Sequence, residues 1–232
     1  EICCTSCIPG EGKTFISNNL AMSLALMGKK VVIVGLDIRK PRLVKLFGIP
    51  VSKNGITNYL SSDDTGYGLL EAQITHGVGN PNLDLLPAGV IPPNPGELIS
   101  REQLDRAIEL LKEHYDYIVL DTPPIGLVSD TLSIARVADV TLLVCRADYT
   151  PRSNFSLINS MKENNKLPKV NLVLNGVDLK KKKYGYYYGY GKYGKYGKYG
   201  KYGKYGYGYG KYGHYGIYGH YGNQAGREHT EK

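Results

Sequence analysis

The sequence predicts an α/β domain of three layers on a mainly parallel sheet, followed by a tail of different character. Two observations carry this expectation. Six short, continuous apolar runs alternate with longer amphipathic stretches over residues 1–179, the pattern of strands covered on both faces and joined by helical crossovers. From residue 180 that alternation stops, and tyrosine, glycine and lysine take over.

The runs place strands near Ile2–Ser6, Val31–Leu36, Leu83–Leu86, Tyr117–Leu120, Val140–Cys145 and Val170–Leu174. A first helix is expected from Thr14 to Met27, with Gly28 as its C-terminal stop. A second is expected to begin near Pro95, with Glu97 in its first turn, and to run to about His114. Strands separated by helix-length segments favour right-handed crossovers.

Charge divides the chain at the same point. Residues 180–232 hold 12 of the 29 Lys and Arg against only Glu228 and Glu231, a net +10, while the remainder carries 17 basic and 19 acidic residues, a net −2. The overall +8 therefore belongs to an appendage on a near-neutral domain, and a uniformly basic nucleic-acid-binding domain is excluded. The expected boundaries are 1–179 for the globular domain and 180–232 for a disordered tail. Cys3, Cys4, Cys7 and Cys145 lack the paired spacing of a zinc site and read as buried free thiols of a reducing compartment. No run of 18 apolar residues exists and no signal-peptide pattern is visible in these residues. Because the chain enters a strand almost at once from Glu1, it reads as a segment of a longer protein.

The first strand runs into "CIPGEGKTF" and then a helix. Gly10 and Gly12 permit the tight backbone that turns N–H groups toward phosphate oxygens. Lys13 would reach the β and γ phosphates, and Thr14 would offer its hydroxyl to Mg²⁺ at a helix N-terminus that favours anions. Cys7 stands where the full consensus asks for glycine. Glu11 and Phe15 complete the expected loop contacts. Downstream, "VVIVGLDIRKPRL" and "YDYIVLDTPPIG" each end an apolar strand in one acid, Asp37 and Asp121. Carboxylates at strand ends lie on the rim where open α/β sheets bind ligands, so Thr14, Asp37 and Asp121 make a candidate Mg²⁺ shell, direct or through water. Alone, either acid reads equally as a cap or turn residue. Together the three motifs predict a three-layer P-loop NTPase with MgATP as its ligand.

"IPGEGKTF", "GLDIRKP", "LPAGVIPPNPGELI", "DTPPIGLVSDT" and "NGVD" followed by a tyrosine cluster resemble, in that order, the bacterial tyrosine kinases of capsule and exopolysaccharide synthesis. The resemblance spans essentially residues 1–222; the third motif and the tail are its specific parts. Septum-positioning and plasmid-partition ATPases share the fold but carry a signature lysine where this chain has Ile8.

The resemblance implies ATP-dependent autophosphorylation of the C-terminal tyrosines in trans between subunits of a ring, octameric as one stoichiometry, regulating polysaccharide polymerisation and export. It implies Lys13, Asp37 and Asp121 as catalytic residues, Asn175 near the adenine and Asp130 near the γ-phosphate. As phosphoacceptors it implies Tyr184, Tyr186, Tyr187, Tyr188, Tyr190, Tyr193, Tyr196, Tyr199, Tyr202, Tyr205, Tyr207, Tyr209, Tyr212, Tyr215, Tyr218 and Tyr221. Its partners would be other copies of the chain, a membrane chain-length regulator (fused upstream or separate) and a tyrosine phosphatase, at the cytoplasmic face of the bacterial inner membrane, with no nucleic acid expected. Family members read Asp-x-Asp where this chain has Gly35 and Asp37. Either Asp37 serves alone, or base catalysis matters little beside charge neutralisation and alignment.

Residues 184–222 are made of 16 Tyr, 14 Gly, 6 Lys, 2 His and Ile217. Such a segment has no aliphatic set for a core, and a flexible chain of that length reaches roughly 30 to 40 Å. The alternative from another class is a P-loop ATPase switch whose basic aromatic tail binds nucleic acid or membrane. A third is a catalytically silent scaffold.

Overall fold

The structure is a computed structural model, and it describes residues 1–50 and 53–178. The chain divides into two units, Glu1–Tyr184 and Gly185–Lys232. The expected tail and all sixteen tyrosines lie outside the described residues.

Six strands form one parallel sheet: β1 (Ile2–Ser6), β2 (Val31–Gly35), β3 (Leu83–Leu86), β4 (Tyr117–Asp121), β5 (Val140–Arg146) and β6 (Val170–Asn175), in the order β3-β2-β4-β1-β5-β6. The chain leaves β1 toward one edge, returns through β4 to pair beside β1, and then builds the other edge. The reversal brings the C-terminal ends of β1, β2 and β4 together, and at such a point open sheets bind ligands.

Alternation within the strands buries both faces. Val32, Val34, Leu86, Ile118 and Leu120 point into one layer, against Ile56, Tyr59, Leu70, Ile99, Leu104 and Leu111. These come from α3 (Ile56–Leu60), α4 (Tyr67–Glu71), α5 (Pro95–Ser100) and α6 (Glu102–Lys112). Val31, Ile33, Leu83, Leu85 and Val119 point the other way, against Ala21 and Ala25 of α1 (Lys13–Leu26) and Leu43 and Val44 of α2 (Leu43–Leu46). A third cluster joins β5 to α7 (Asp130–Ile134) and its 3-10 extension, and to α8 (Asn154–Glu163), through Leu143, Cys145, Ala135 and Ile158. The six strand expectations hold to within a residue at each end.

The helix expected from Pro95 to about His114 is instead two helices, broken at Arg101, whose φ of −69° and ψ of 151° are extended. Nothing local forces the break. The Arg101 carbonyl accepts from Leu104 N in the first turn of α6, but also from Arg136 Nη2, and its own guanidinium donates to the Leu60 carbonyl at 3.1 Å, so two tertiary hydrogen bonds hold the break. All four cysteines are free and buried, and burial pushes the Cys3 and Cys7 thiols up to about 12, far from the thiolate range. Among the described residues no helix is long and apolar enough to cross a membrane.

Candidate active site

The loop between β1 and α1 turns on two left-handed glycines, Gly10 (φ 86°) and Gly12 (φ 96°). A Cβ on Gly12 would stand 2.2 Å from Asn175 Nδ2, so that amide would have to leave its bond to the loop, and the left-handed backbone strains any residue that carries a side chain. The loop is anchored from the β5 and β6 side. Tyr149 Oη donates to the Pro9 carbonyl at 3.0 Å, Arg146 Nη1 to Gly10 O at 3.1 Å and Asn175 Nδ2 to Glu11 O at 2.9 Å. The Glu11 side chain is fully buried: Oε2 accepts the Ile8 N–H at 2.8 Å and Oε1 the Thr150 hydroxyl. Thus Glu11 shapes the loop from behind. Asn175, expected near the adenine, bonds the loop backbone here, and its Oδ1 accepts the Gly176 N–H.

Helix α1 begins with no side-chain cap and no acid in its first turn. Its first N–H groups are left for an anion, with the positive end of the helix dipole behind them.

Facing that helix start, Lys13 Nζ lies 3.0 Å from Asp37 Oδ2, 3.9 Å from Asp121 Oδ1 and 3.3 Å from Thr14 Oγ1. Two features of the sheet bring the acids together: Gly35 pairs with Asp121 across β2 and β4, and the Leu36 and Asp37 N–H groups both donate to the Asp121 carbonyl, at 2.8 and 3.0 Å. Asp37 Oδ1 accepts the Lys40 N–H. Asp121 is buried, and burial raises its pKa against the lowering pull of Lys13 and of hydrogen bonds from Thr14 and Ser17. Ser17 Oγ bonds Asp121 Oδ1 at 3.1 Å. Sequence reasoning passed over Ser17, although it lies four residues after Lys13 and so on the same helix face. At Gly35 a Cβ would meet Ala88 N at 3.2 Å, so the place of the family's first acid is tight as well as vacant of a carboxylate.

Lys13, Thr14, Phe15, Asp37, Arg39, Lys40, Arg42, Leu46, Pro123 and Leu127 line a cavity of about 450 Å³ that opens over Gly10 and Gly12. Asp130, expected near the γ-phosphate, does not line it. Its buried carboxylate takes a two-point bond from Arg39, Nε to Oδ2 at 2.6 Å and Nη2 to Oδ1 at 3.0 Å, which ties the Asp37 loop to α7. Arg39→Ala is expected to cost about 2 kcal/mol, less than a fully buried pair because the guanidinium is partly in water, and to raise the KM for ATP by loosening the Asp37 loop. Thermal melts and initial rates check this; an unchanged melting point would show that the latch holds nothing.

The profile of the family described as an AAA domain matches residues 2–174. Tyrosine-protein kinase CpsD of Streptococcus agalactiae is 35% identical over 189 residues, covering 81% of this chain and 80% of that protein. The solved kinase domain of Escherichia coli tyrosine kinase ETK aligns with a TM-score of 0.68 at 31% identity, covering 76% of this chain and 67% of that one. Septum site-determining protein MinD of Pyrococcus horikoshii, solved with Mg-ADP, aligns at 0.61 and 25% identity, covering 75% of this chain and 68% of that one. With its P-loop fold and this likeness to CpsD over most of both chains, the protein belongs to the bacterial tyrosine-protein kinases.

Proposed function

We propose that the protein transfers the γ-phosphoryl group of ATP to tyrosines of its own C-terminal cluster, in trans between subunits of a ring-type homo-oligomer, and thereby regulates capsular or exopolysaccharide polymerisation and export. The observation that carries this reading is the meeting of Lys13, Asp37, Asp121 and Thr14 at an uncapped helix start, in a chain that also contains a 39-residue segment with 16 tyrosines. The relatives support it, since CpsD and ETK are tyrosine kinases.

The donor set of a hydroxyl and two carboxylates is all oxygen, as Mg²⁺ requires, and its oxygens already gather around one positive charge, the Lys13 ammonium. Thr14, Asp37 and Asp121 would hold the ion, which supplies neutralisation of the phosphate oxygens. The chain's own groups do the rest. The α1 amides and Lys13 bind and orient the phosphates. The bond from the γ-phosphorus to the ADP oxygen breaks as a new bond to the phenol oxygen forms, and the phenol proton passes to the Asp37 carboxylate. Gly35 leaves that motif with one acid, and a loose transition state depends on alignment and charge more than on a strong base.

The tail's charge gives the regulation a physical basis. Each phosphate adds about −1.5 to −2 charges at neutral pH, so five or six modifications cancel the +10 of residues 180–232 and further ones reverse it. Crowded tails then repel, and the oligomer loosens. The setting is the cytoplasmic face of the bacterial inner membrane, beside a chain-length regulator, with a tyrosine phosphatase to reset the tail.

Incubation with MgATP followed by mass spectrometry tests the reading. Phosphotyrosine within residues 184–221 is the expected result. Phosphate release without it would instead support an ATPase switch, and neither would support a scaffold.

A further inference from the structure

We propose that the apolar side chains of Phe15, Leu46 and Leu127 form the subsite that seats the acceptor's phenol ring, and that this wall selects tyrosine over serine and threonine. The inference rests on the phosphotransfer reading above.

Three separate elements supply the wall. Phe15 lies in the first turn of α1, Leu46 ends α2, and Leu127 stands in the loop after β4. They are 56%, 50% and 62% exposed, yet all line the cavity that holds Lys13, Thr14 and Asp37. Single exposed apolar residues are ordinary. Three converging from different elements on one polar centre make a surface that an apolar group would cover.

Nucleotide phosphates do not fit that role, because they match the loop amides and Lys13 and gain nothing from aliphatic or aromatic carbon. A tyrosyl ring does fit it. The reacting centre is recessed, with the Lys13 and Asp37 side chains only 12% and 14% exposed. A hydroxyl that reaches them through this cavity comes alongside the wall. Tyrosine carries its hydroxyl at the end of a rigid ring with two torsions to fix, whereas a serine or threonine hydroxyl sits close to the backbone and would leave the wall uncovered. Lys40 and Arg42, which line the same cavity, place cations where they can meet the face of the ring. The acceptor composition agrees: residues 184–222 contain no serine or threonine.

The test uses the full chain, ATP labelled in its γ-phosphate, an added Lys-Tyr-Gly repeat peptide and its Lys-Ser-Gly counterpart. Leu46→Ser and Leu127→Ser should each raise the KM for the tyrosine peptide about three- to tenfold, with the KM for ATP at its wild-type value. The preference for the tyrosine over the serine peptide should shrink accordingly. Leu127→Met, which keeps the apolar surface, should restore wild-type KM. An unchanged peptide KM would overturn the subsite, and so would a rise in the KM for ATP in step with it, which would assign the wall to the nucleobase. A wild-type chain that labels no tyrosine at all would overturn the phosphotransfer reading itself.

Discussion

Lys13→Met is expected to lower tyrosine phosphorylation by a factor of about 10³ or more, because it removes a cation that faces both strand-end carboxylates at the mouth of the P-loop. A positioned charge of this kind costs no reorganisation at the moment of transfer, and methionine fills the same space without it. The substitution has a second, independent consequence. Lys13 is the leading influence that holds the pKa of Asp121 down against its burial. Without it, the pKa of Asp121 climbs further above its unfolded value. A carboxyl that binds its proton more tightly in the folded state contributes stability at low pH, and that contribution is lost as pH rises through the folded pKa. Melting temperature should therefore fall more steeply from mildly acid to neutral pH in Lys13→Met than in the wild type. Parallel pH profiles would refute the shared-cation account, whatever happens to activity.

Asp121→Asn should separate function from stability in the opposite sense. Activity is expected to fall by about 10²–10³, since a carboxylate of the candidate Mg²⁺ shell is lost. Yet the fold should become more stable at neutral pH. Asp121 is buried, its raised pKa records a cost of keeping it charged, and an amide can still accept from Ser17 and Thr14. Lys13 keeps Asp37 at 3.0 Å. The melting temperature should rise by about 2–4 °C for each kcal/mol recovered, and its dependence on pH should flatten. A destabilised Asp121→Asn protein would mean that the Lys13 pairing outweighs desolvation. Gain of stability with loss of activity is the signature of a charge kept for chemistry.

Residues whose role is set by their immediate neighbours in the chain are legible in the sequence. The apolar runs mark all six strands because a strand buried on both faces must be continuously apolar. The P-loop is readable because its backbone geometry favours glycine at defined places, and Gly10 and Gly12 both take the left-handed conformation. Asp37 and Asp121 are legible as strand-end acids. Their meeting is not, because it depends on β4 returning between β2 and β1, and the paired register of Gly35 with Asp121 is a property of the sheet. The break at Arg101 is illegible for the same reason, since hydrogen bonds from Arg136 and to Leu60 have partners 35 and 41 residues away.

Side-chain direction is the other hidden quantity. Nothing in "PGEGK" says that Glu11 turns inward to the Ile8 amide and Thr150, and nothing in "LVSDT" says that Asp130 is held by Arg39. By itself, then, the sequence determined the layers, the glycine-turned loop after the first strand, the charge division and the family resemblance, all of which follow from local periodicity and backbone requirements. Only the tertiary structure decided which carboxylates share Lys13, which polar groups hold the loop from behind and which apolar side chains wall the cavity. Those are contacts between segments distant in the chain, and their energies exist only once the sheet has brought the strand ends to one edge.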